Sequence, residues 1–211
     1  MTTQLVLIRH AEAQATLDDV VPGPRGDSGL SSQGRKQARL LGDRLKRAGW
    51  SPDVFLSSVL PRAIQTAQTI SSAWSNAEPL QDCAYCELHP GDEADGMSWN
   101  EYRRKWGVVL HLTPDEVFAP GGESLRGFEQ RVVCAINSVL HDHQGKTIVV
   151  VTHGGFIAAA CLQFLGHRIT SPRPFSLTPT YTSITIWTAG VEQERSWILE
   201  RFNDAAHLGI T

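Results

Sequence analysis

Three short apolar runs constrain this chain more than any other feature: Gln4–Ile8, Asp53–Ser57 and Thr147–Thr152. Each has the length of a buried strand and is far too short to span a bilayer. Behind each comes, directly or after a loop, a segment whose apolar residues recur at helical spacing. Strands that alternate with helices in this way predict an α/β chain, a three-layer α/β/α sandwich with a mostly parallel central sheet covered on both faces. The expectation for the 211 residues is one domain spanning 1–211.

The punctuation supports the same division. Ser31 or Ser32 is placed to cap a helix that runs to about Ala48 with Ala38, Leu41, Leu45 and Ala48 inward, and Gly49 is placed to stop it. Pro61 fits the first turn of the next helix, which turns Ala63, Ala67 and Ile70 inward. A long helix from Ser124 to about His143 carries Leu125, Phe128, Val132, Ile136 and Val139 on one face. An apolar helix over Phe156–Leu165 stops at Gly166, and two further strands are expected over Ser183–Thr188 and Trp197–Phe202. Ala15–Gly29, rich in Pro, Gly and Asp, reads as a loop. Leu80–Gly122 is irregular apart from a short helix near Ser98, where Ser98 and Glu101 have capping-box spacing. That stretch is too long for a plain loop, so residues 88–122 are expected to form a small cap insertion.

The formal net charge of −3 speaks against a general nucleic-acid or acidic-membrane binder. The apolar run after Met1 is too short for a signal-peptide core, so a cytoplasmic location is expected. Among the four cysteines, Cys83 and Cys86 form a lone C-x-x-C without a second pair at zinc spacing, and they read as incidental thiols. Cys134 and Cys161 read as core residues on apolar helix faces.

In an open α/β sheet, ligands bind beyond the carboxyl ends of the strands. The first strand ends in Arg9 and His10, the second leads to Ser57, Ser58 and Arg62, and Thr147–Thr152 ends in His153 with two glycines. If these strands run parallel, two histidines and two arginines gather at one sheet edge and form an anion-binding site.

Here the residues resemble a known family. Leu7-Ile8-Arg9-His10-Ala11-Glu12 is similar to the R-H-G-E signature of the histidine phosphatase superfamily, the phosphoglycerate mutase-like fold. The likeness continues in order along the chain: Leu30-Ser31-x-x-Gly34-x-x-Gln37-Ala38, then Ser57-Ser58-x-Leu60-x-Arg62-Ala63-x-Gln65-Thr66-Ala67, then Pro120-Gly121-Gly122-Glu123-Ser124. Val151-Thr152-His153-Gly154-Gly155 and the tail Asn203-Asp204-x-x-His207-Leu208 complete it. The resemblance implies a metal-independent phosphatase that works through a phosphohistidine at His10. It makes Arg9, Arg62 and His153 the rest of the phosphate pocket and Glu87 the general acid and base, with Asp92 and Glu93 as rivals. The implied partner is a small phosphorylated metabolite, ahead of a phosphoprotein, with no nucleic acid, membrane, metal or cofactor.

That chemistry has a physical basis. Phosphoryl transfer is mostly positioning and charge stabilisation at three equatorial oxygens, which guanidinium forks match. The nucleophile has to be a neutral imidazole whose other nitrogen is held by an acceptor. The leaving alkoxide needs a proton, and the attacking water then has to lose one.

Departures from the family pattern bear on substrate. Ala11 stands where Gly is usual and is expected to keep a negative φ. Ala13 and Thr16 replace Thr and Asn. The E-R-x-Y-G segment of cofactor-dependent mutases is absent after Glu87, where the chain reads Leu88-His89-Pro90-Gly91. Thr16, Arg25, Arg103 and Arg104 are candidates for contacts with the rest of the substrate, and Trp99 and Trp106 for the pocket mouth. Arg25-Gly26-Asp27 matches an adhesion tripeptide by chance. The alternatives to a phosphatase are a phosphoglycerate mutase and a non-catalytic phospholigand-binding relative.

Overall fold

The computed structural model describes residues 2–108, 113–170, 176–190 and 196–209. One mixed sheet of six strands runs through them in the order β3-β2-β4-β1-β5-β6. The strands are β1 (Gln4–Arg9), β2 (Val54–Ser57), β3 (Leu80–Gln81), β4 (Thr147–Thr152), β5 (Ile184–Ala189) and β6 (Trp197–Asp204). β1, β2, β3 and β4 are mutually parallel, with Ile8 opposite Val151 and Leu56 opposite Val150. β5 pairs antiparallel with β1, and β6 antiparallel with β5. The sheet is therefore parallel across the strands that deliver Arg9, His10 and His153, and antiparallel at one edge.

The side-chain period of two sends each strand's residues to opposite faces. Leu5, Leu7, Ile148 and Val150 face α5 (Leu125–Asp142) and α6 (Gly154–Phe164). Val6, Ile8, Val149 and Val151 face α2 (Ser32–Arg47) and α3 (Pro61–Ile70). Both faces being covered explains why β1 and β4 read as continuous apolar runs. The caps follow the sequence. The Ser31 and Ser124 side chains accept from the N–H groups of Gly34 and Gly127, and Gly49 and Gly166 take the left-handed conformation after their helices.

Some expectations need correction. The start of the Ala15–Gly29 loop is instead helical, within a one-turn helix α1 (Gln14–Leu17). α6 begins at Gly154, two residues before the expected start, so both glycines are helical. Cys134 is exposed, off the buried stripe of α5, whereas Cys161 is buried as expected. Ala11, by contrast, keeps its φ out of the positive range as expected, since the described non-glycine residues with positive φ are Asp19, Ser75, Asn76, Thr182 and Asn203.

The 88–122 stretch carries α4 (Trp99–Trp106), capped by Ser98 as its spacing suggests. Val21, Ala94, Tyr102, Phe118 and Ala119 form a small separate apolar cluster there, so the insertion packs on the loop after α1. Backbone hydrogen bonds join the two, from Val21 to Met97 and from Trp99 to Asp19.

Candidate active site

The parallel strands β1 and β4 bring His10 and His153 together at the carboxyl edge of the sheet, with ring centroids 5.0 Å apart. Both are buried, at 6% and 0% exposure. Burial, followed by the nearby arginine charges, pushes each imidazole well below its ordinary pKa, so both are neutral near pH 7. His10 Nδ1 lies 2.7 Å from the carbonyl oxygen of Ala11. A neutral ring that donates there keeps its lone pair on Nε2, the atom Arg62 Nε reaches at 3.2 Å. The ring is thereby held in the tautomer a nucleophile needs.

Arg62 reaches His10 from the first turn of α3. Its Nη1 donates to Asp27 Oδ2 at 2.9 Å and to the Pro22 carbonyl at 2.9 Å, and the same carboxylate oxygen accepts from the Arg62 backbone N–H at 3.1 Å. The side chains of this ion pair are 3% and 0% exposed. Asp27 had no individual role in the sequence reading, where it appeared only within a chance tripeptide. Its neighbour Arg25 turns outward instead, donating to the Asp92 carbonyl and pairing with Asp95.

Arg9 sits over the Tyr181 ring, 4.1 Å from its centroid, and donates to the Pro179 carbonyl. The chain tail holds that loop in place. Thr182 donates its N–H to the Arg9 carbonyl, His207 lies 2.8 Å from the Thr182 hydroxyl, and Asn203 accepts from Thr180 N–H. Two buried nitrogens, Arg9 Nε on the cavity wall and His153 Nδ1, whose ring is fully buried behind it and does not line the cavity, have no protein partner. His153 Nε2 lies 2.8 Å from the Ser58 hydroxyl. The same hydroxyl donates to Cys86 Sγ at 3.2 Å and accepts from Leu60 N–H at 3.2 Å. A buried Arg9 Nε–H without an acceptor is costly, and an oxyanion would satisfy it.

Glu87 lines the same cavity as Arg9, His10 and Arg62. Its Oε2 accepts from Gly155 N–H at 2.9 Å and its Oε1 from Leu88 N–H at 3.1 Å. A Cβ at position 155 would stand 2.3 Å from Oε1, so the glycine is a steric requirement for this carboxylate. The backbone that carries Glu87 is clamped by Arg131 of α5. Its Nη1 donates to the Ala84 and Cys86 carbonyls at 3.0 Å each, and its Nη2 to the Glu87 carbonyl at 3.1 Å. Glu123 holds the guanidinium at 2.8 and 2.7 Å and also accepts from His89 N–H. Burial pushes the Glu123 carboxyl up, but the Arg131 fork and the His89 N–H outweigh it and hold it below its ordinary value. Arg131 left no signal in the sequence, because the carbonyls it clamps are main-chain groups and its pairing with Glu123 is one any helix arginine could make.

The remaining candidates separate cleanly. Thr16 lines the cavity, its hydroxyl 3.2 Å from that of Tyr181, and Trp99 lines it too. Trp106 packs within the insertion's own apolar cluster. Arg103 and Arg104 are exposed on α4 and do not line the cavity, and Arg103 bonds Asn100 on the same helix. Neither of the rival carboxylates lines it: Glu93 pairs with Lys105, and Asp92 is exposed. Among the described residues no group of His, Cys, Asp and Glu could hold a metal ion. Burial and the neighbouring Cys86 push the Cys83 thiol up to about 11, so it is not a reactive thiolate. No helix among the described residues is long and apolar enough to cross a membrane.

A phosphoglycerate mutase-like sheet with two neutral histidines and two arginines at its carboxyl edge defines a class of phosphoryl-handling proteins. Residues 5–205 match the family model of the histidine phosphatase superfamily (branch 1), and the chain belongs to that family. It is 34% identical over 173 residues to the 2,3-bisphosphoglycerate-dependent phosphoglycerate mutase of Brucella anthropi, covering 79% of this chain and 83% of that one. Bacillus stearothermophilus YhfR has a similar structure, with a TM-score of 0.81 at 24% identity over 98% of this chain and 99% of that one. So does a phosphoserine phosphatase mutant of Entamoeba histolytica, solved in complex with phosphoserine, with a TM-score of 0.74 at 25% identity over 98% and 99%.

Proposed function

We propose that this chain, as one domain over residues 1–211, is a metal-independent phosphatase that hydrolyses a phosphomonoester of a small metabolite through a phosphohistidine at His10. The observation that carries the reading is the neutral His10 ring, its Nδ1 tied to Ala11, beside the unpartnered buried nitrogens of Arg9 and His153. His10 Nε2 attacks phosphorus. Arg9, Arg62 and His153 donate to the equatorial oxygens as charge accumulates there. Glu87 protonates the departing alkoxide, then takes a proton from the water that attacks phosphorus as the bond to His10 Nε2 breaks and its electron pair returns to the ring. Inorganic phosphate leaves, and His10 returns to its neutral form.

A second reading, a phosphoglycerate mutase, is favoured by the Brucella anthropi relative. In a mutase the phosphoenzyme must pass its phosphoryl group to a second substrate hydroxyl rather than to water. Here Leu88-His89-Pro90-Gly91 follows Glu87 in place of the E-R-x-Y-G segment of such mutases. Product analysis with 3-phosphoglycerate and catalytic 2,3-bisphosphoglycerate separates the two, since release of inorganic phosphate supports the phosphatase and accumulation of 2-phosphoglycerate the mutase.

The test of mechanism is the intermediate. Labelled substrate quenched in alkali should leave base-stable, acid-labile phosphate on the protein, and none on His10→Ala. Turnover should survive excess EDTA and fall with vanadate. Label on His10→Ala, or base-labile label, would remove the nucleophile from this scheme. Glu87→Gln should still be phosphorylated by an activated aryl phosphate and should hold the label longer.

A further inference from the structure

The cavity that begins at His10 does not end at the phosphate pocket. It occupies about 790 Å³ and continues between the insertion and α6. Its walls there are Leu88, Trp99, Phe118, Phe128, Ala158 and Leu162. Beyond Arg9, His10, Arg62 and Glu87, which serve the phosphoryl end, and the Tyr181 phenol under Arg9, the charged or titratable side chains among the described lining residues are Arg168 and His167, both exposed. The arginines of the loop after α1 and of the insertion do not enlarge that set, because Arg25 is tied to Asp92 and Asp95, and Arg103 and Arg104 lie off the cavity. A carboxylate or second phosphate seated against Trp99, Phe118 and Phe128 would meet an aromatic wall. Stripping those charged groups of water without a partner is unfavourable. A three-carbon acid would also leave most of a cavity of this size unfilled, since it matches ligands of drug-like size.

We propose that the substrate of this chain is the phosphomonoester of a bulky, uncharged, apolar alcohol, with aromatic or branched aliphatic bulk lodged between the insertion and α6. The proposal rests on the phosphatase reading and names the substrate class of that same site. The hydroxyls of Thr16 and Tyr181, 3.2 Å apart on the cavity wall, are among the uncharged polar groups there, with Thr170, Ser176 and Thr178, that could meet an alcohol's further oxygen.

The test uses the intact chain and a homologous series of n-alkyl phosphates from methyl to hexyl, whose leaving groups differ little in basicity. Buried length is then the variable. Each methylene taken up by the apolar wall should raise kcat/KM roughly fourfold, giving roughly 60-fold from methyl to butyl phosphate. 1-Naphthyl phosphate should exceed phenyl phosphate, and 3-phosphoglycerate should fall below butyl phosphate. Leu162→Arg should flatten the series, whereas Leu162→Met, which keeps an apolar wall of similar volume, should retain its slope. The readout is the slope, so an overall loss of rate in either variant does not obscure it. A flat series with 3-phosphoglycerate preferred, and with Arg168→Ala raising its KM, would overturn the proposal while label on His10 left the phosphatase reading standing. No turnover of any phosphomonoester and no label on His10 would overturn both.

Discussion

Gly155→Ala tests the position of Glu87 without touching Glu87. The site of substitution is helical and its φ is not positive, so alanine adds no backbone strain and gains up to ~1 kcal/mol of helix propensity. The new Cβ, however, would stand 2.3 Å from Glu87 Oε1, against the 3.4 Å at which ordinary van der Waals contact begins. The carboxylate must retreat by about 1 Å, a displacement that can cost ~10²-fold in a positioned reaction. Retreat also strains the 2.9 Å bond from Gly155 N–H to Oε2. The loss should fall on the proton transfer alone. Alkyl phosphates, whose leaving groups need the acid, should slow ~10²-fold, within the ~10²–10⁴-fold range of general acid–base contributions. Burst phosphorylation of His10 by 4-nitrophenyl phosphate should stay within a few-fold of the parent. Paired steady-state and rapid-quench measurements give both numbers, and urea unfolding checks that stability is unchanged or higher. Equal losses for alkyl and aryl substrates would mean that the glycine serves the phosphate pocket as a whole. No loss for either would mean that Glu87 is not the acid.

Three further outcomes are expected. Asp27→Asn leaves the buried Arg62 guanidinium without its counter-charge, which should lower stability by ~3–5 kcal/mol in urea unfolding; saturating vanadate should recover part of that, because the oxyanion pairs with Arg62 in the folded state only. An unchanged unfolding midpoint would refute the role of this pair. Arg131→Lys cannot span the Ala84, Cys86 and Glu87 carbonyls, so turnover of alkyl phosphates should fall about tenfold or more while aryl phosphorylation of His10 is spared; a uniform loss would make Arg131 merely structural. His10 and His153 are held neutral in the fold, with pKa values lowered from the ordinary 6.5, so the unfolded chain binds protons that the folded chain does not as pH drops below about 6.5. Stability should therefore be full above that pH and fall by about 2.7 kcal/mol per pH unit from this pair until the folded-state values are reached, with a further loss from His207, which burial and Arg44 lower to about 4, and distinct from carboxylate losses below about pH 4. A flat unfolding free energy between pH 7 and 5 would contradict the burial argument.

What the sequence alone determined is what local chemistry and period determine. The apolar runs that became β1, β2 and β4 read as buried strands because both faces of each are covered, and Ser31, Ser98 and Ser124 announced helix starts because a hydroxyl satisfies N–H groups within its own first turn. The convergence of Arg9, His10, Arg62 and His153 followed from strand ends and a topological rule, since parallel strands put their carboxyl ends on one edge. Tertiary structure decided what depends on through-space neighbours. Nothing in Arg25-Gly26-Asp27 distinguishes its last residue from a surface aspartate until the loop folds back on α3 and buries it against Arg62. Arg131 reads as an ordinary helix arginine until its fork meets the carbonyls behind Glu87. The antiparallel β5 and β6 lay beyond periodicity too, because an alternating pattern carries no strand direction. The same holds for the cavity: Trp99 and Phe118 on the insertion meet Leu162 on α6 only in the folded chain, and that meeting gives the site its apolar character.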